Sequence, residues 1–82
     1  MARTPLRIRF AWDNEAAAWY VMESDIPGLN AESDTLEGLL DKVRRMAPEL
    51  IALNRHIIGE VPHGEMPLHW SAECQDTLAL DP

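Results

Sequence analysis

A single cysteine, Cys74, is all the thiol this chain contains, so no intrachain disulfide can form, and no cysteine or histidine spacing matches a zinc framework. A reducing compartment is the implied setting. Glycine is sparse too: its four copies are scattered, which leaves no Gly-rich loop to cradle a phosphate. No run approaches the roughly 20 apolar residues that a membrane-spanning helix needs. The opening MARTPLRIRFAW has basic residues but lacks the uninterrupted apolar core and small-residue cleavage site of a secretion signal. The expectation is a soluble, cytoplasmic protein. Basic residues are few as well. Seven Lys and Arg against fourteen Asp and Glu give a formal charge of −7, which argues against binding nucleic acid through its phosphates, since that draws on clustered cations. The acidic balance suits either plain solubility or a basic partner.

What is present is enough for one small domain. In 82 residues, of which 46% are apolar, a single domain over 1–82 is expected, with its core over about 6–73 and a frayed tail at 74–82. Cores of this size supply only about 3–5 kcal/mol, so oligomerisation is a reasonable expectation.

The stretch WYVMESDIPGLNAESDTLEGLL, residues 19–40, is the pivot, because within it the hydrophobic period changes from strand-like to helical. Before it, Leu6, Ile8, Phe10 and Trp12 alternate with Arg7, Arg9 and Ala11, which predicts a strand with one buried face. Residues 13–17 have a length suited to a hairpin loop, so a second strand from Ala18 to Ser24 should run antiparallel to the first. That strand carries Trp19 and Val21 on one face and Tyr20 and Met22 on the other. One helix covers only one face of a small sheet, so the second apolar set meets either a loop or tail of this chain or another chain. In Ile26-Pro27-Gly28, proline fixes φ and glycine allows positive φ, predicting a turn, after which Leu29 to Glu32 reads as a short third strand.

A helix is predicted from about Thr35, with Asp34 as N-cap acceptor and Glu37 three residues on. Leu36, Leu39, Leu40, Val43, Met46, Ala47, Leu50 and Ile51 form its apolar stripe, opposite Glu37, Asp41, Lys42, Arg44, Arg45 and Glu49. Pro48 cannot donate to the Arg44 carbonyl and crowds it, at about 3 kcal/mol in a regular helix interior. Either a kinked helix reaches about Asn54 or two helices abut at Pro48. A loop through Gly59, Pro62 and Gly64 then leads to a fourth strand over 66–73, in which Leu68, Trp70 and Ala72 alternate with His69, Ser71 and Glu73. Two hairpins followed by a helical crossover place that strand beside the first and parallel to it. The predicted fold is α+β, β-β-β-α-β, with sheet order 3-2-1-4 and one long helix on one face.

Few residues invite a chemical reading. Asp25, Glu32 and Asp34 fall near one end of the predicted sheet and could make a divalent-metal or acid–base cluster, the basis of a metal-dependent hydrolase remnant. Turn and cap duties account for them equally well. His63 and His69 flank Glu65 without zinc spacing, and His56 lies farther back. Cys74 is expected to be inert, because a nucleophilic thiol needs a base or cation beside it and its neighbour Glu73 is an anion. Trp12, Trp19 and Trp70 lack the basic surround of a base-stacking platform. No catalytic residue, cofactor or metal is expected.

The segment AWDNEAAAWYVMESDIPGLNAESDTLEGLL, followed by a helix ending MAPELIALN, resembles the HicB-like antitoxin family, and within it a short stand-alone branch described only as a domain of unknown function. The likeness spans about residues 10–54. Its most specific elements are Trp12-Asp13, the run Ser24-Asp25-Ile26-Pro27-Gly28-Leu29, and Asp34-Thr35-Leu36 leading into the helix. The resemblance implies a truncated RNase H-like fold without the catalytic carboxylates of true RNase H enzymes, assembly into dimers or tetramers, and binding to a small basic HicA-type toxin ribonuclease. Larger members carry a C-terminal DNA-binding module. Nine residues after Glu73 are too few for one, so operator binding by this chain is not expected. The reading is a non-enzymatic protein-binding module of antitoxin type, with Arg7, Arg9, Tyr20 and Met22 as its contact surface on the sheet face away from the helix. The alternative is an orphan homo-oligomeric assembly domain.

Overall fold

Alternation over residues 6–10 buries Leu6, Ile8 and Phe10 and leaves Arg7 and Arg9 exposed, while Ala11 is buried on the other face. This strand, β1 (Leu6–Asp13), is central to the sheet. The computed structural model describes residues 4–59, 61 and 64–81. Asp13 closes the hairpin, its carboxylate accepting from the N–H groups of Glu15 and Ala16, and Ala17 takes a positive φ of 51° before β2 (Ala18–Ser24) begins. β1 and β2 pair antiparallel from Asp13↔Ala18 to Ile8↔Ser24, but the register jumps between Arg9 and Phe10, whose partners are Glu23 and Val21. Met22 is skipped, as in a β-bulge.

Leu29 donates its N–H to the Ile26 carbonyl at 3.2 Å, closing a turn with Pro27 and a positive-φ Gly28 (80°) at its centre. The third strand is shorter and later than predicted: β3 is only Glu32–Ser33, paired with Tyr20 and Trp19. Leu29 is buried in the core cluster instead. A side chain used as a plug leaves its backbone out of the ladder, which is why apolar character alone misplaced the strand.

α1 (Leu36–Leu53) begins one residue later than an Asp34 cap would set it. Thr35 is the N-cap, its Oγ1 accepting from the Gly38 N–H at 3.0 Å. All eight predicted stripe residues face the core: Leu39, Val43 and Ala47 are buried, and the other five pack against them. The helix continues unbroken through Pro48, which lies on the exposed side where water can serve the Arg44 carbonyl. Asn54 ends it, its side-chain amide donating to the Leu50 carbonyl at 2.8 Å, and a single-turn α2 (Arg55–Ile58) follows. Lys42 Nζ donates to the Glu32 carbonyl at 2.6 Å, fastening α1 to β3.

β4 (Leu68–Glu73) pairs parallel to β1 from Leu6↔Leu68 to Ala11↔Glu73, giving the sheet order β3-β2-β1-β4. The core cluster draws Leu6, Ile8 and Phe10 from β1, Ile26 and Leu29 from the turn, and Leu39, Val43 and Ala47 from α1. No β4 residue is buried. Leu68 and Trp70 remain 40% and 41% exposed, although the Trp70 ring lies 5.9 Å from that of Phe10. A helix about 10 Å wide over strands about 4.8 Å apart spans roughly two strands, and α1 leans toward β2 and β3. Residues 74–81 continue beyond β4 without a turn or bend, all of them exposed, and the molecule measures 56 × 25 × 19 Å. Among the described residues no helix is long and apolar enough to cross a membrane.

Candidate functional site

The sheet face opposite α1 is where the alternation of β1 sends its charged residues. Arg9 is its centre. Its Nε and Nη2 donate to Glu73 Oε1 of β4 at 3.2 and 2.6 Å, and its Nη1 donates to Glu23 Oε2 of β2 at 2.8 Å. These bonds, Glu73 first and Glu23 second, hold the guanidinium above its ordinary pKa. One cation thus ties three strands together, and both carboxylates keep more than half of their surface in water. Exposed, solvent-screened pairs of this kind add little to stability, so their larger effect is on the shape and charge of the face.

Arg7 occupies the next outward position of β1, across from His69. Its backbone N–H donates to Asp25 Oδ2 at 2.8 Å and its carbonyl accepts from the Asp25 N–H at 2.9 Å, so Asp25 pins the end of β1 as well as opening the turn. Arg7, Arg9, Glu23, Asp25, His69 and Ser71 line a shallow depression of about 500 Å³. Tyr20 stands farther along, opposite Ala11 of β1 and Glu32 of β3. Met22 sits at the bulge, 39% exposed and outside the core cluster.

The predicted contact residues therefore fall in two groups. Arg7 and Arg9 share the depression, while Tyr20 and Met22 flank it on β2. Sequence reasoning missed the carboxylates of this face. The available signal was the alternation His69, Ser71, Glu73 on β4, which points Glu73 the same way as Arg9. Glu23 carried no such signal, because its neighbours Trp19 and Val21 assign it to the helix side, and only the skipped Met22 turns it to meet Arg9.

The suspected acidic cluster is dispersed. Asp25 lies beside Arg7, whereas Glu32 pairs with Tyr20 at the level of Ala11, about four residues or ~13 Å along the strand. Asp34 accepts from the Ser33 hydroxyl at 3.5 Å. Among the described residues no three His, Cys, Asp or Glu side chains gather where they could hold a metal ion. His63 lies outside the described residues. His56 is exposed on α2, His69 is on β4, and Cys74 is exposed just past β4. The face offers opposite charges in fixed register with an aromatic and a thioether beside them.

The family described as "Domain of unknown function (DUF1902)" matches residues 5–80. The crystal structure of a hypothetical protein from the extremely thermophilic bacterium Thermus thermophilus is similar, with 36% sequence identity, coverage of 94% of this chain and 100% of that chain, and a TM-score of 0.65. No curated protein matches the chain.

Proposed function

This chain belongs to the DUF1902 family of domains of unknown function, and we propose that it is a non-enzymatic, HicB-like binding module of antitoxin type, which neutralises a small basic HicA-type toxin ribonuclease by covering its active surface. The open sheet face is the contact surface. The observation that carries this reading is the neutralisation of Arg9 by Glu23 and Glu73. It leaves Asp25, Glu32 and one further carboxylate charge against Arg7 alone, so the face that looked basic in β1 is acidic overall. A basic partner gains long-range attraction to such a face. Tyr20 and Met22 supply the apolar contact that charge alone does not give. The free, exposed thiol of Cys74 agrees with action in the cytoplasm.

Coexpression with the small basic ribonuclease of a neighbouring reading frame tests the reading. The two proteins should copurify and growth arrest by the ribonuclease should be relieved. Tyr20→Ala with Glu73→Lys in the same chain should weaken the complex at least tenfold, an effect of about 1.4 kcal/mol or more. A ribonuclease that neither copurifies nor loses toxicity overturns the proposal.

A further inference from the structure

Among the described residues β4 ends the sheet with an unpaired edge, and its helix-side residues Leu68 and Trp70 stay about two-fifths exposed because α1 leans toward β2 and β3. The chain that follows is itself strand-like and unused. Residues 74–81 run straight on, and Leu78 and Leu80 are 82% and 81% exposed. Bare edges and bare apolar pairs of this kind are what soluble proteins normally cover.

We propose that a second copy of this chain covers them by reciprocal exchange of this arm: the arm of each copy pairs antiparallel with β4 of the other. The spacing selects one register. Leu78 and Leu80 are two residues apart, as are Leu68 and Trp70, so the four side chains meet in pairs only when Leu78 lies opposite the partner's Trp70 and Leu80 opposite the partner's Leu68. Residues whose numbers sum to 148 then face each other. Even-numbered residues stay on the helix side in both copies, which keeps both α1 helices on one side of a continuous sheet. Leu80 also comes to the mouth of an apolar groove of about 360 Å³ lined by Leu6, Ala47, Ile51, Met66 and Leu68.

The arm's own β4 is a poor recipient. Folding back in the same register would require reversal within Glu73-Cys74-Gln75, which contains no Gly, Asn or Pro to make a tight hairpin turn. It would also remove Glu73 from its pairing with Ala11 and from Arg9. Exchange between copies keeps both. The surface is separate from the open face, and neither proposal depends on the other.

The register places Cys74 on the two-fold axis, opposite the partner's Cys74. Antiparallel neighbours have Cα atoms about 4.5–5.5 Å apart, within the span a disulfide bridges. This makes the native thiol a reporter. Sedimentation of the full chain at about 100 µM should give a dimer. Copper–phenanthroline with oxygen should oxidise the two thiols to a disulfide-linked dimer that dithiothreitol reverses. Leu78→Asp with Leu80→Asp should weaken dimerisation at least tenfold and suppress the cross-link, with far-UV circular dichroism unchanged, since those leucines lie outside the core of their own copy. A monomer at that concentration, or a dimer unaffected by the double substitution, overturns the proposal. A dimer that does not cross-link through Cys74 overturns the register and with it the pairing described.

Discussion

Gly38 sits in the first turn of α1, where alanine would ordinarily be the better helix former by about 1 kcal/mol. Here a Cβ would collide with Ser33 Oγ and lie 2.9 Å from Thr35 Oγ1, the acceptor that caps the helix. Gly38→Ala is therefore expected to lose the cap, worth about 1 kcal/mol, and so to forfeit the propensity gain, with little net change in stability. Thr35→Ala, which loses the cap without that gain, should cost about 1 kcal/mol. The double variant loses the cap only once and keeps the gain, so it should be more stable than Thr35→Ala alone. Urea unfolding of the two single variants and the double variant checks this, and a double variant as unstable as Thr35→Ala alone would contradict it. The sequence marked a cap here but named Asp34, since adjacent Asp and Thr are equally able acceptors and only the backbone path chooses. Glu23 was hidden for a related reason. Alternation predicts facing only while the register holds, and the skipped Met22 breaks it.

At the scale of elements, α1 was the most legible because an eight-residue stripe repeated at helical spacing over more than four turns overrides local exceptions, Pro48 included. That proline remains a local cost. It lies on the exposed side and removes one donor from the ladder, so Pro48→Ala should raise stability by about 1–3 kcal/mol. The expected signature is a higher urea midpoint with an unchanged slope; a lower midpoint would mean that its ring matters more to the Leu6–Ile51 groove than the lost hydrogen bond does. β3 was legible only as a neighbourhood, since a two-residue strand has too short a pattern to date itself, and Leu29 was apolar for the sake of the core. β4 showed its alternation plainly. What the alternation could not show was that Leu68 and Trp70 stay about two-fifths exposed, because their coverage depends on where α1 leans.

For the molecule as a whole, element order was enough to derive the 3-2-1-4 sheet, since two short connections and one helical crossover admit few alternatives. The open face was legible through Arg7, Arg9 and Tyr20, but its net acidity required the cross-strand register. The overall dimensions carry a further expectation. A radius of gyration of 15.4 Å exceeds the roughly 12 Å of a compact chain this long, in keeping with an exposed arm over 74–81. If two copies share their arms, the thermal midpoint should rise with protein concentration, because association stabilises by mass action. A midpoint constant from about 5 to 200 µM would place all the stability in the single copy. The pairing of β1 with β4 has a consequence for synthesis. Leu6 must wait for Leu68, about 60 residues later, so a ribosome releases the first strand long before its parallel neighbour exists. In that interval β1 has one edge bare and the three-stranded remainder rests on the hairpin and α1 alone, which makes β4 the strand that completes the sheet.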